Sequence, residues 1–257
     1  CRPHPEPLRR WGHLAGSDRQ RSGDLMAEAP LLACLRGGWG AARLLENPAA
    51  ASAGEGPKPS QWLLGFSDVT SLLWARQAAG RPGGIHGPLV TTLAAEPTWS
   101  QERLRDLLFA GAAAALPPLA GEGWCGGAAT GPLLVGNLTV ATHLLGTPHL
   151  PELRGAVLVL EDVGEAPYRL DRMLTHWRLC GALQHLAAIG FGRFSDCDEP
   201  SGGPSEAEAV LRERTADLGI PVLAGLPVGH EPGNAALPLG RLARLDAEAG
   251  RLELLPS

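Results

Sequence analysis

The stretch Trp62-Leu63-Leu64-Gly65-Phe66-Ser67-Asp68-Val69-Thr70 decides the fold. A short apolar run ends in a glycine and a serine, and a helix-compatible stretch then runs to about residue 79. That order reads as strand, sharp turn and helix, the repeating unit of an α/β protein. Upstream, Leu31-Leu32-Ala33-Cys34-Leu35 stops at Arg36-Gly37-Gly38-Trp39-Gly40, with a helical reading from Ala41 to Glu46, and so repeats the unit. Downstream, Gly80-Arg81-Pro82-Gly83-Gly84 closes the helix, and residues 101–109 form an amphipathic helix with Leu104, Leu107 and Leu108 on one side.

Between about residues 112 and 130 the chain becomes rich in proline and glycine, which predicts a linker between two domains. The expected division is residues 1–117, a linker over 118–130, and residues 131–257. Beyond the linker, residues 133–138, 156–160 and 218–226 read as strands. A long helix is expected over 169–186, a polar loop from residue 202 runs into another helix, and a hairpin closes the chain around Ala249-Gly250.

Composition narrows the function classes. The chain has 257 residues, 44% of them apolar and 19% charged, with a net charge of −5. It is long enough for one large domain or two modest ones, each with its own core. No stretch approaches the ~20 uninterrupted apolar residues of a spanning helix, so no membrane role is expected. A mildly acidic chain gives no electrostatic reason to expect a nucleic-acid partner. Its 21 arginines against the single Lys58 reflect codon bias. Five cysteines without CxxC or Cys/His spacing fit a reducing compartment, with Cys34 and Cys180 reading as small buried hydrophobes.

Each candidate for chemistry lies after a predicted strand. Ser67, at a strand-to-helix turn, has its hydroxyl pushed outward, and the Asp68 amide at the helix start can donate to an oxyanion. The stretch departs from GxSxG because Val69 stands at the second glycine, and a serine there can equally cap the helix. The Gly37-Gly38 turn is either structural or a second oxyanion donor. Glu161-Asp162-Val163-Gly164-Glu165 places carboxylates at the end of a strand, where open α/β sheets bind ligands. His230, in Pro227-Val228-Gly229-His230-Glu231, suits a general base, with His86 its one serious rival. Ser67, Glu161 and His230 thus supply the nucleophile, orienting acid and base of an acyl-transfer site.

Taken together, these segments resemble a known family. Gly12-His13-Leu14-Ala15-Gly16-Ser17-Asp18, Arg36-Gly37-Gly38-Trp39-Gly40, Gly65-Phe66-Ser67-Asp68-Val69-Thr70 and His86-Gly87-Pro88 are similar to motifs of the LD-carboxypeptidase family of serine peptidases. So are Gly136-Asn137-Leu138, Leu160-Glu161-Asp162-Val163-Gly164-Glu165, Tyr168-Arg169-Leu170-Asp171-Arg172-Met173-Leu174 and Gly229-His230. That family includes murein tetrapeptide carboxypeptidases and the microcin C self-immunity peptidase.

The resemblance implies a Rossmann-like N-terminal domain and a smaller C-terminal α/β domain that holds the Glu and the His. It implies a Ser67-Glu161-His230 triad, with an oxyanion hole from the backbone amides of Gly38 and Asp68. The implied reaction is hydrolysis of the terminal L,D-peptide bond of a murein tetrapeptide, releasing D-Ala during cytoplasmic peptidoglycan recycling. Neither a metal nor an organic cofactor is implied, and a homodimer is consistent with the family. Two alternatives follow: a microcin C-type hydrolase of acyl-sulfamoyl or aminoacyl-adenylate analogues, with Trp99 or Trp124 clamping the base, and a non-catalytic peptide-binding relic. Only about eleven residues precede the His13 motif, so the first βα unit is expected to be incomplete. Val135 and Trp39 stand where glycine and tyrosine are common.

Overall fold

The computed structural model describes residues 13–46, 61–110, 115–198 and 205–256. In the first half, helix α1 (Asp18–Leu25) precedes strand β1 (Leu31–Ala33), and a 3₁₀ turn covers Ala42–Glu46. There follow β2 (Trp62–Gly65), α2 (Thr70–Ala78), β3 (Gly84–His86), the single turn α3 (Val90–Leu93) and α4 (Thr98–Ala110). The second half contains β4 (Leu119–Ala120), β5 (Glu122–Cys125), β6 (Ala128–Asn137), α5 (Leu138–Thr142), β7 (Val157–Val163) and α6 (Pro167–Leu179). It ends with β8 (Ala188–Ser195), α7 (Glu206–Thr215), β9 (Val222–Ala224), β10 (Leu237–Pro238), β11 (Leu242–Asp246) and β12 (Arg251–Leu254).

Two sheets result. The first has the order β1-β2-β3-β10, with β1, β2 and β3 parallel and β10 antiparallel to β3. The second has the order β4-β12-β11-β6-β7-β8-β9-β5 around a parallel centre, β6 to β9. Strand β7 lies in the middle of that sheet and is buried on both faces, which explains its unbroken apolar run Val157-Leu158-Val159-Leu160. This is the mixed α/β architecture expected from the sequence.

The segment read as a linker is instead mostly strand. β4 pairs with β12, β5 pairs with β9, and β6 already starts at Ala128. Glycine there serves close packing rather than flexibility: any Cβ on Gly123 would strike the backbone carbonyl of Ala247. The helix expected over 169–186 stops at Leu179, because Gly181 turns left-handed at φ 76° and a separate 3₁₀ turn follows at Leu183–His185. Cys180 is exposed and Cys34 only partly buried, against the expectation of two core thiols. Cys180 falls at the exposed end of α6, whereas burial pushes the Cys34 thiol up to about 11.

The core joins both halves of the chain. Leu170, Leu174 and Trp177 line one face of α6, and Trp177 meets Trp74 of α2 edge-on at a centroid distance of 6.2 Å. Both indoles are fully buried and satisfied: Trp74 Nε1 donates to the Val135 carbonyl and Trp177 Nε1 to Thr142 Oγ1, each at 2.9 Å. Arg103 of α4, also buried, donates to the carbonyls of Ala236 at 3.0 Å and Pro117 at 2.6 Å. Among the described residues, no helix is long and apolar enough to cross a membrane.

Candidate active site

Ser67 lies just past the end of β2, where the chain turns from strand into the helical stretch that becomes α2. Its φ is 62°, a left-handed conformation that costs a non-glycine residue roughly 1–3 kcal/mol. The helix starts at once, so the turn is very tight. A Cβ on Gly65 would lie 2.9 Å and 3.0 Å from the two methyls of Val69, and only glycine lets strand and helix approach this closely. Val69, the departure from GxSxG, fills that space and is buried. Ser67 is not a helix cap, since Phe66 holds the cap position and makes no side-chain cap bond.

Glu161 and His230 reach Ser67 from the second half of the chain. His230 Nε2 stands 3.1 Å from Ser67 Oγ, and His230 Nδ1 stands 2.7 Å from Glu161 Oε2. Carboxylate acceptance from Nδ1–H leaves the Nε2 lone pair free to take the serine proton. The His230 side chain is 21% exposed and Glu161 fully buried, so the acid is sealed beneath the base and the base faces the open side. Burial raises the Glu161 pKa, and the hydrogen bond to His230 opposes that rise.

Strand geometry sorts the three acids of the Glu161-Asp162-Val163-Gly164-Glu165 stretch. Neighbouring strand residues face opposite sides, so Asp162 points away from Glu161. Asp162 accepts from Asn137 Nδ2, the Thr139 amide, Thr139 Oγ1 and the Val163 amide, all at 2.8–2.9 Å. It ties β6 and α5 to β7. Glu165 stays near the surface, 3.3 Å from Arg169.

The glycine turn after β1 faces Ser67 through Gly37. A Cβ there would lie 3.0 Å from Ser67 Cβ and 3.1 Å from Oγ, whereas one on Gly38, at φ 106°, would meet the Arg36 guanidinium. The Asp68 side chain has a role that was not anticipated. Its Oδ2 accepts from the Ala41 amide at 2.8 Å, fastening the glycine loop to the serine turn. Burial raises the Asp68 pKa, with the amides of Ala41 and Gly40 opposing.

His86, the rival base, is completely buried, and burial together with the neighbouring His230 drives its pKa down to about 3. It stays neutral, 5.8 Å from the Phe66 ring, which in turn lies 4.8 Å from the His230 ring. Of the proposed base clamps, Trp124 is covered by the Arg212 guanidinium at 4.0 Å and packs near Phe191. Trp99 is 42% exposed and lies against Gly233. Sequence reasoning missed Glu96, Ser100, Arg193 and Asn234, which hold the His230 loop through backbone contacts that leave no motif.

A serine in a left-handed turn at the end of a parallel strand, bonded to an imidazole that leans on a buried carboxylate, defines the serine hydrolase class. Family models give the narrower assignment: the LD-carboxypeptidase N-terminal domain matches residues 2–87 and its C-terminal domain residues 130–245. The chain belongs to the LD-carboxypeptidase family. A relative from Synechocystis sp. is 49% identical over 255 residues, covering 96% of this chain and 81% of that protein. The murein tetrapeptide carboxypeptidase of Pseudomonas aeruginosa is 38% identical over 261 residues, covering 92% and 80%. The crystal structure of muramoyltetrapeptide carboxypeptidase from Oxalobacter formigenes superposes with a TM-score of 0.77 at 29% identity, covering 95% of this chain and 86% of that one. A structure of MccF in complex with glutamyl sulfamoyl guanosine, 18% identical, shares the fold at a TM-score of 0.76 over 95% and 82% of the two chains.

Proposed function

We propose that this protein is a serine carboxypeptidase that removes the terminal D-Ala from a murein-derived tetrapeptide during cytoplasmic wall-peptide recycling. The hydrogen-bonded chain Ser67–His230–Glu161 carries the reading. Its similarity to the Pseudomonas and Oxalobacter proteins supports the choice of substrate.

In this mechanism His230 Nε2 accepts the Ser67 proton as Oγ attacks the carbonyl of the terminal L,D-peptide bond. Glu161 keeps Nδ1 protonated and stabilises the imidazolium. The negative oxygen lies between the Asp68 amide and an amide of the Gly37-Gly38 turn. His230 then returns the proton to the departing D-Ala amine, leaving an acyl ester on Ser67. A water, deprotonated by His230, hydrolyses that ester and restores the serine.

The test is incubation of the purified protein with a synthetic murein tetrapeptide, with products weighed by mass spectrometry. Release of D-Ala is expected, and Ser67→Ala is expected to lower kcat by about 10⁴-fold or more. An aminoacyl-sulfamoyl nucleoside runs beside it. Cleavage of that compound with the tetrapeptide intact would reassign the substrate, and full activity in Ser67→Ala would remove the serine mechanism.

A further inference from the structure

His230 sits on the loop formed by residues 229–234, and little within that loop fixes its shape. Gly229 and Gly233 adopt φ 137° and 92°. The internal tie is Asn234 Oδ1, which accepts from the Gly229 amide at 3.1 Å. The remaining restraints come from elsewhere. Arg193 of β8 donates to the carbonyls of Glu231 at 3.2 Å and Pro232 at 2.9 Å. Ser100 of α4 donates to the Asn234 carbonyl at 2.8 Å.

The strongest restraint is a carboxylate. Glu96, between α3 and α4, is 8% exposed, and its Oε2 accepts from the amides of Gly233 at 2.6 Å and Asn234 at 3.0 Å. One buried charge therefore takes two successive backbone donors from a loop about 140 residues away in sequence. Glu96 belongs to the half of the chain that carries Ser67, whereas the loop carries the base. The carboxylate thus fixes the base in the reference frame of the nucleophile.

We propose that Glu96 is a positioning residue for the reaction: by holding the Gly233 and Asn234 amides, it sets the approach of His230 Nε2 to Ser67 Oγ. The inference rests on the Ser67–His230–Glu161 reading. Glu96 touches neither partner of the proton transfer and acts through the loop backbone. The replacement Glu96→Ala strands two amides. Glu96→Asp keeps the charge but withdraws it by one methylene. Glu96→Gln keeps the reach and an acceptor oxygen.

The experiment measures the rate constant of Ser67 labelling by a fluorophosphonate, together with kcat and KM for the tetrapeptide. Active-site titration normalises each rate to folded protein. Glu96→Ala and Glu96→Asp are expected to slow labelling and kcat by about 10- to 100-fold with KM little changed, and Glu96→Gln is expected to recover most of the loss. Should Ala fail to fold, Asp carries the same test. A wild-type rate per titrated site in either folded variant overturns the inference and leaves Glu96 a merely structural residue. A wild-type protein that neither labels at Ser67 nor cleaves the peptide overturns the triad reading, and this inference with it.

Discussion

The loops after β2 and β9 meet at one site but are built by opposite means. The β2 loop takes its shape mainly from its own residues: Gly65 admits Val69, Ser67 bends left-handed, and the Val69 amide returns to the Phe66 carbonyl at 3.3 Å, with Asp68 alone reaching out to the Ala41 amide. The β9 loop borrows its shape from Glu96, Ser100 and Arg193. Local strain thus holds Ser67, and distributed hydrogen bonds hold His230. Ser67 should respond to its own turn and to the glycine loop pressed against it, and His230 to groups that never contact substrate.

The contrast can be probed from both sides, starting where the effect is largest. Glu161→Gln leaves the serine turn untouched but offers Nδ1 a donor or a neutral acceptor in place of a carboxylate. A fall in kcat of about 10³- to 10⁴-fold is expected, read by tetrapeptide hydrolysis in the folded variant. A loss under tenfold would show that the base does not depend on its acid.

Gly37→Ala attacks the nucleophile side. The new methyl would stand 3.0 Å from Ser67 Cβ, tighter than an ordinary contact, so either the turn or the serine must yield. A decrease of about 10- to 100-fold in kcat is expected, with the melting temperature lowered only slightly. An unchanged kcat would mean that the serine turn is softer than its geometry implies.

The smallest effect concerns stability. His86 lies beneath both loops with a pKa of about 3, against the ordinary 6.5. Its native form stays neutral while the unfolded chain takes up a proton, so its contribution is complete above about pH 6.5 and is lost as pH falls toward 3. The slope reaches at most about 1.4 kcal/mol per pH unit. Glu161, Asp68 and Asp162 have raised pKa values and act in the opposite sense, so the quantity to measure is the difference between wild type and His86→Gln. Urea midpoints between about pH 7 and about pH 4 should fall more steeply for wild type. Parallel curves would sever His86 from the acid response.

What was legible in the sequence follows the same division. The strand, turn and helix around Ser67, the buried run of β7 and the presence of helix α6 are each encoded locally, and their signals stand in the text of the chain. Elements that exist only by virtue of a distant neighbour left no such trace. Glycines 121 to 127 read as a linker because composition does not distinguish a flexible glycine from one pressed against Ala247. The two-residue strands β4 and β10 are too short for any periodicity. Ser67, Glu161 and His230 were singled out from their residue types after strands and from the resemblance, and the structure brings the three within hydrogen-bonding reach. Glu96 was not, because a carboxylate that receives backbone amides has no partner motif to betray it.

Strand β10 has a consequence for how the molecule is made. Its pairing with β3 joins residues about 150 positions apart, so the first sheet gains its fourth strand only after that long intervening stretch has been synthesised. Until then β3 is an open edge carrying the all-buried triplet Gly84-Ile85-His86, a template for pairing with other chains. A product truncated before Leu237 would keep that edge permanently, and its expected fate is aggregation rather than an inactive but orderly half-enzyme.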